Sequence, residues 1–104
     1  RCYLSGPISA ATDEGVAANK ARMRAAEAAL QSLGHSVVCP LDNGLHVDAK
    51  WEEHMRADIP LMLTCDTVAL LDGWADSRGA RIEYQLAKDL GLRVVPLVIL
   101  LSQP

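Results

Sequence analysis

A chain of 104 residues has the length of one domain, spanning 1–104. At that size it buries roughly 65% of the surface its unfolded form would expose. With 50% hydrophobic and 22% charged residues, it needs neither metals nor disulfides to build a core, and its net charge of −3 argues against a nucleic-acid polymer as partner, which calls for a basic stripe.

Cys2-Tyr3-Leu4 reads as a short buried strand, stopped by Ser5-Gly6-Pro7. Thr12 or Asp13 caps a long first helix that runs to about Leu33 and stops at Gly34. Val16, Met23, Ala26, Leu30 and Leu33 recur at helical spacing and mark its buried stripe. Asn19 falls on that stripe, where a polar side chain calls for a partner in a neighbouring loop. Residues 36–39 form a second strand ended by Pro40, and 41–50 a polar loop. The second helix starts near Trp51 and runs toward Leu63. Pro60 lacks an N–H and clashes with the preceding turn, which predicts a kink or a restart there. Residues 67–71 are a third strand, 72–77 a loop, and 78–90 a third helix stopped by Gly91. A fourth strand is expected over 94–101, with a break at Pro96.

The order β-α-β-α-β-α-β, with strands apolar on both faces, predicts a three-layer α/β domain of Rossmann/flavodoxin-like type. Helices cover both faces of its parallel sheet. Ligands bind such sheets at the carboxyl ends of the strands, so loops 5–12, 40–50 and 72–79 are the ones to watch.

Glu83 stands out. Gly79, Ile82, Leu86, Ala87 and Leu90 define one face of the third helix, and Glu83 falls within it, while Arg81, Tyr84, Gln85 and Lys88 lie opposite. A buried carboxylate without partners costs several kcal/mol. Two readings stay open: a first-turn Glu favoured by the helix dipole, or a functional carboxylate. Asp58 lies at the edge of the stripe formed by Trp51, Met55, Ile59 and Met62. It reads either as the cap of a helix restarted around Pro60 or as a second functional acid. Ser77-Arg78-Gly79 opens the third helix with free N–H groups, a hydroxyl and a guanidinium, a combination that suits an anion and is also an ordinary N-cap. In Ser5-Gly6-Pro7 the glycine lets a ligand approach the backbone closely, or simply makes a turn. Tyr3 is core packing or a hydroxyl with a partner. Trp51 and Trp74 fit stacking on a base or packing in a core or interface.

His35, His46 and His54 lack metal-ligand spacing and read as surface residues, so no metal is expected. No Walker loop, no G-x-G-x-x-G and no G-x-S-x-G elbow occurs. Cys2, Cys39 and Cys65 fit neither a disulfide framework nor a zinc pattern, which points to a reducing, cytoplasmic compartment. The longest apolar run, 94–101, is too short to span a bilayer, so no membrane partner is expected.

Taken together, several segments resemble the nucleoside 2-deoxyribosyltransferase superfamily, and more closely its short branch. They are Tyr-Leu-Ser-Gly-Pro-Ile at 3–8, Gly-His-Ser-Val-Val at 34–38, Trp-Glu-Glu-His-Met-Arg-Ala-Asp at 51–58, Cys-Asp-Thr-Val at 65–68 and Gly-Trp-Ala-Asp-Ser-Arg-Gly-Ala-Arg-Ile-Glu at 73–83. Their order covers nearly the whole chain. The resemblance implies that Glu83 attacks the anomeric carbon of a nucleoside, that Tyr3 orients it and that Asp58 assists the departing base. The chemistry is that of a retaining glycosidase, with a glycosyl-enzyme intermediate passed to water or to another base and no cofactor. It also implies that Ser77, six residues before Glu83, holds a 5′-phosphate where transferases carry an acid. Ser5, Gly6, Arg78 and Gly79 would complete substrate binding, and a neighbouring subunit would complete the site, so a homodimer or higher homo-oligomer is expected. Arg81 departs from the family, whose characterised enzymes carry a small or apolar residue there. The expected function is an N-glycosidase or deoxyribosyltransferase acting on a small nucleotide or nucleoside. The alternatives are a non-catalytic nucleotide-binding module and a glutamate-dependent NAD glycohydrolase.

Overall fold

The computed structural model describes residues 1–46 and 48–103. The backbone alternates as the sequence pattern demands. β1 (Cys2–Ser5) leads into α1 (Asp13–Ser32), β2 (Val37–Val38) into α2 (Trp51–Met62), β3 (Thr67–Leu70) into α3 (Arg78–Asp89), and β4 (Arg93–Pro96) into a short α4 (Leu97–Leu101). Single 3-10 turns at Pro40–Asp42 and Trp74–Asp76 precede α2 and α3. All four strands are parallel, in the order β2-β1-β3-β4. The Rossmann/flavodoxin-like α/β class expected from the sequence is therefore the observed one.

Two-residue alternation splits the sheet's side chains between two cores. Cys2, Leu4, Ala69, Leu71 and Val95 face one way and pack with Met23, Ala26 and Leu30 of α1 and Leu100 of α4. Tyr3, Val68 and Leu70 face the other way, toward Met62 of α2 and Ala87 of α3. The central strands β1 and β3 are buried along their whole length because helices cover both faces. From β1 the chain winds to β2 on one side, and from β3 to β4 on the other. The loops after β1 and β3 thus part in opposite directions and open a crevice at their carboxyl ends.

Local signals hold at most helix ends. Thr12 caps α1 by accepting from the Gly15 N–H at 3.0 Å, and Asn19 donates to the carbonyls of Ile8 and Ser9, tying the β1–α1 loop to the helix. Four expectations need correction. The final apolar run is not one strand: after Pro96 the chain turns into α4, whose Leu100 caps the core under α1. Pro60 neither breaks nor restarts α2, since it and Arg56, the residue one turn earlier, lie on the exposed side where a freed carbonyl meets water. Leu33 is exposed rather than part of the α1 stripe. On α3 the buried line runs through Gly79, Ala80, Glu83 and Ala87, leaving Ile82 and Leu90 exposed, while Tyr84 is half-buried and packs on the second core.

Candidate functional site

Glu83 sits one turn into α3, on the line of that helix pressed against the sheet, and is only 6% exposed. Tyr3 and Ser5 share one face of β1, two residues apart, and that face looks at α3. The Tyr3 hydroxyl donates to Glu83 Oε2 at 2.5 Å and the Ser5 hydroxyl donates to Oε1 at 2.8 Å. Both carboxylate oxygens are therefore fixed by strand β1. Burial pushes the Glu83 carboxyl up to about 7; the two hydroxyl donors work against that rise, and the nearby Asp58 charge adds to it. Burial, with Glu83 second, also pushes the Tyr3 phenol far above its ordinary range, so it remains a donor. The helix-dipole reading of Glu83 required a water-facing side chain and does not fit this geometry.

Asp58 is also buried, at 6% exposure, inside an unbroken α2, so it caps no restarted helix. Its Oδ1 accepts from Asn43 Nδ2 at 2.8 Å, and the same nitrogen lies 2.9 Å from His54 Nδ1. Burial raises the Asp58 carboxyl above its ordinary range, while the Asn43 hydrogen bond pulls it back, as does a positive charge on His54 when that ring is protonated. Asn43 goes unmarked in the sequence reading. His54, read as a surface residue, is half-buried and lines the cleft. The usable signals are its place one helical turn before Asp58 and the position of Asn43 in the loop that follows β2.

These groups converge on one cleft of about 970 Å³ at the carboxyl ends of β1 and β3. Tyr3, Asp58 and Glu83 line it together with Gly6, Ser77, Arg78 and Gly79. Ser5 does not: it is fully buried, so its role is to hold Glu83 rather than to touch a ligand. Ser77 Oγ accepts from the Ala80 N–H at 3.3 Å as the α3 N-cap, which leaves the hydroxyl proton free to donate into the cleft. The Arg78 guanidinium lies 4.0 Å over the Trp51 ring. Trp51 is thus occupied within the chain, and Trp74 stacks on Tyr84 at 4.5 Å. Gly79 is where α2 and α3 meet, since a Cβ there would stand 3.0 Å from Met55 Sδ. The need for Gly6 comes from packing rather than ligand approach: a Cβ would meet Leu71 Cβ at 2.8 Å. Arg81 points away and donates to the Ala75 carbonyl at 3.0 Å.

Outside the cleft, Glu27, Cys39 and Asp42 come within metal-ligating distance of one another. Arg24 already bridges the two acids, at 3.0 Å to Glu27 and 2.7 Å to Asp42. The cysteines are free and buried, and burial raises the thiols of Cys2 and Cys39, which makes them poor nucleophiles. No helix among the described residues is long and apolar enough to cross a membrane.

Comparison with family models matches residues 1–96 to a family described as "Domain of unknown function (DUF4406)". No curated protein and no solved structure matches the chain.

Proposed function

The chain belongs to that domain family, and from this footing we propose that it is an N-glycosidase or deoxyribosyltransferase acting on a nucleoside 5′-monophosphate or nucleoside. One observation carries the reading. A buried carboxylate lies at the wall of a ligand-sized cleft, both of its oxygens are held by hydroxyls, and its ionisation is poised near neutrality.

Ionised Glu83 attacks C1′ of the sugar as the N-glycosidic bond breaks, giving a glycosyl-enzyme ester. Tyr3 and Ser5 hold the carboxylate in one orientation, so little ordering is left for the reaction to do. Asp58, whose carboxyl burial favours in its protonated form, hands its proton to the leaving base. Water or a second base then attacks C1′, breaking the ester to free Glu83 and giving its proton to the Asp58 carboxylate. The free hydroxyl of Ser77 and the Arg78 guanidinium at the α3 N-terminus suit the 5′-phosphate. Free cysteines fit a reducing, cytoplasmic compartment. The exposed apolar side chains Ile82, Leu90, Val98 and Ile99 support a homodimer or higher homo-oligomer.

The test is incubation with a panel of nucleoside 5′-monophosphates, nucleosides and NAD, with free base as the readout. Base released from a nucleotide or nucleoside by the wild type and not by Glu83→Gln supports the reading. Nucleotide binding without release leaves a binding module, and release of nicotinamide alone leaves an NAD glycohydrolase.

A further inference from the structure

Asn43 makes three polar contacts whose directions can be worked out together. The Leu45 N–H donates to Asn43 Oδ1 at 3.0 Å. A backbone N–H can only donate, so this contact fixes which end of the amide is oxygen. Both hydrogens of Nδ2 then point the other way, one to Asp58 Oδ1 at 2.8 Å and one to His54 Nδ1 at 2.9 Å. A flipped amide would set Nδ2 against the Leu45 N–H, donor to donor. His54 Nδ1 must therefore be an acceptor, which puts the ring proton on Nε2.

We propose that Asn43 is a positioning residue that joins His54 to Asp58: it occupies Asp58 Oδ1, assigns the transferable proton to Oδ2, and does so only while His54 carries no proton on Nδ1. Among the described residues, Asn43 is the one side chain that donates to Asp58. If His54 is protonated, Nδ1 becomes a donor and Asn43 loses an acceptor that its amide, anchored by Leu45, cannot replace by turning over. Asn43 belongs to the loop after β2, so this contact also ties the cleft's outer wall to α2. The other charged groups lining the cleft are Asp13, Lys20, Asp76, Arg78 and Glu83. None of them makes a side-chain hydrogen bond to His54 or Asn43 among the described residues.

The proposal rests on the reading of Asp58 as proton donor, but its test needs no turnover. In the full chain, 15N NMR of the His54 ring at neutral pH should show the Nε2–H tautomer, and 13C NMR should follow the Asp58 carboxyl titration. Asn43→Asp keeps an acceptor for Leu45 and removes the donor; Asn43→Ala removes the donor without adding charge. Loss of a hydrogen bond to a charged group should move the Asp58 midpoint up by about one pH unit in both variants. A Nδ1–H tautomer in the wild type overturns the proposal. So does an unmoved midpoint in Asn43→Ala, whether or not Asn43→Asp shifts through its new charge. If Asn43→Ala does not fold, the tautomer and the Asn43→Asp midpoint decide, an unmoved midpoint again counting against it. Failure of the N-glycosidase reading would leave these measurements unchanged.

Discussion

Glu83 is held as a charge where a charge is costly. Its carboxyl ionises at about 7 in the folded chain against about 4.3 in an unfolded one. The folded state therefore binds more protons between those values. Its contribution to stability is fully present below about 4.3 and is lost as pH rises through about 7, by up to about 4 kcal/mol. Glu83→Gln should raise the melting temperature at pH 8 and leave it nearly unchanged at pH 4, as thermal denaturation at the two pH values will tell. Gln cannot form the glycosyl-enzyme, so turnover should fall by several orders of magnitude. A variant that melts lower at pH 8 and releases base at the wild-type rate would count against the nucleophile. The same ionisation sets one limb of the pH–rate profile near 7, since attack needs the Glu83 carboxylate, while the proton on Asp58 sets the other. Tyr3→Phe removes a donor that favours the charged form and should move the Glu83 limb to higher pH. A pH–rate profile with an unmoved limb would show that Tyr3 does not govern Glu83.

At the scale of elements, the cleft depends on how closely strand ends and helix starts approach. The β1 end passes against Leu71, the residue after β3, and there is no room for a methyl group at Gly6. Gly6→Ala should cost about 1–3 kcal/mol through overpacking, measurable by urea denaturation. A neutral result would mean that Leu71 yields freely. The start of α3 serves folding and binding through one residue. Ser77 caps the helix, so Ser77→Ala should cost about 1 kcal/mol of stability on any substrate. Beyond that, it should weaken use of 5′-monophosphates more than use of nucleosides. Steady-state kinetics on a matched nucleotide and nucleoside will separate the two effects, and equal losses would remove the phosphate from Ser77.

On the whole molecule, the two cores are small and several large aliphatic side chains remain in water. Ile82 and Leu90 lie along the outer side of α3, and Val98 and Ile99 on α4. The tryptophans expected to share an interface are engaged inside the chain instead, Trp51 under Arg78 and Trp74 on Tyr84. A homodimer at micromolar concentration is the expected state by light scattering, closed by two-fold symmetry as the commonest case. A monomer that retains turnover would show that no neighbour completes the cleft.

What was legible in the sequence was whatever short-range periodicity encodes. The alternation of apolar strands with helices, the caps at Thr12 and Ser77, and the inward placement of Glu83 and Asp58 all follow from spacing within a few residues. The general location of the cleft follows too, because a parallel sheet offers ligands its carboxyl ends. Spacing did not tell which α3 side chains are truly buried. Ile82 and Leu90 are as apolar as their buried neighbours, and only the packing of α3 against the sheet left them outside the line through Ala80, Glu83 and Ala87. Nor did the apolar run after Leu92 announce α4, since hydrophobicity alone cannot tell a short buried strand from a helix. The partners of Glu83 lie 80 and 78 residues away in β1, and Asn43 reaches Asp58 across a loop and a turn of α2. Hydrogen bonds between such distant residues have no local signature. They exist only once the sheet has set β1 beneath α3, so the orientation and the ionisation of the site were decided by the tertiary structure.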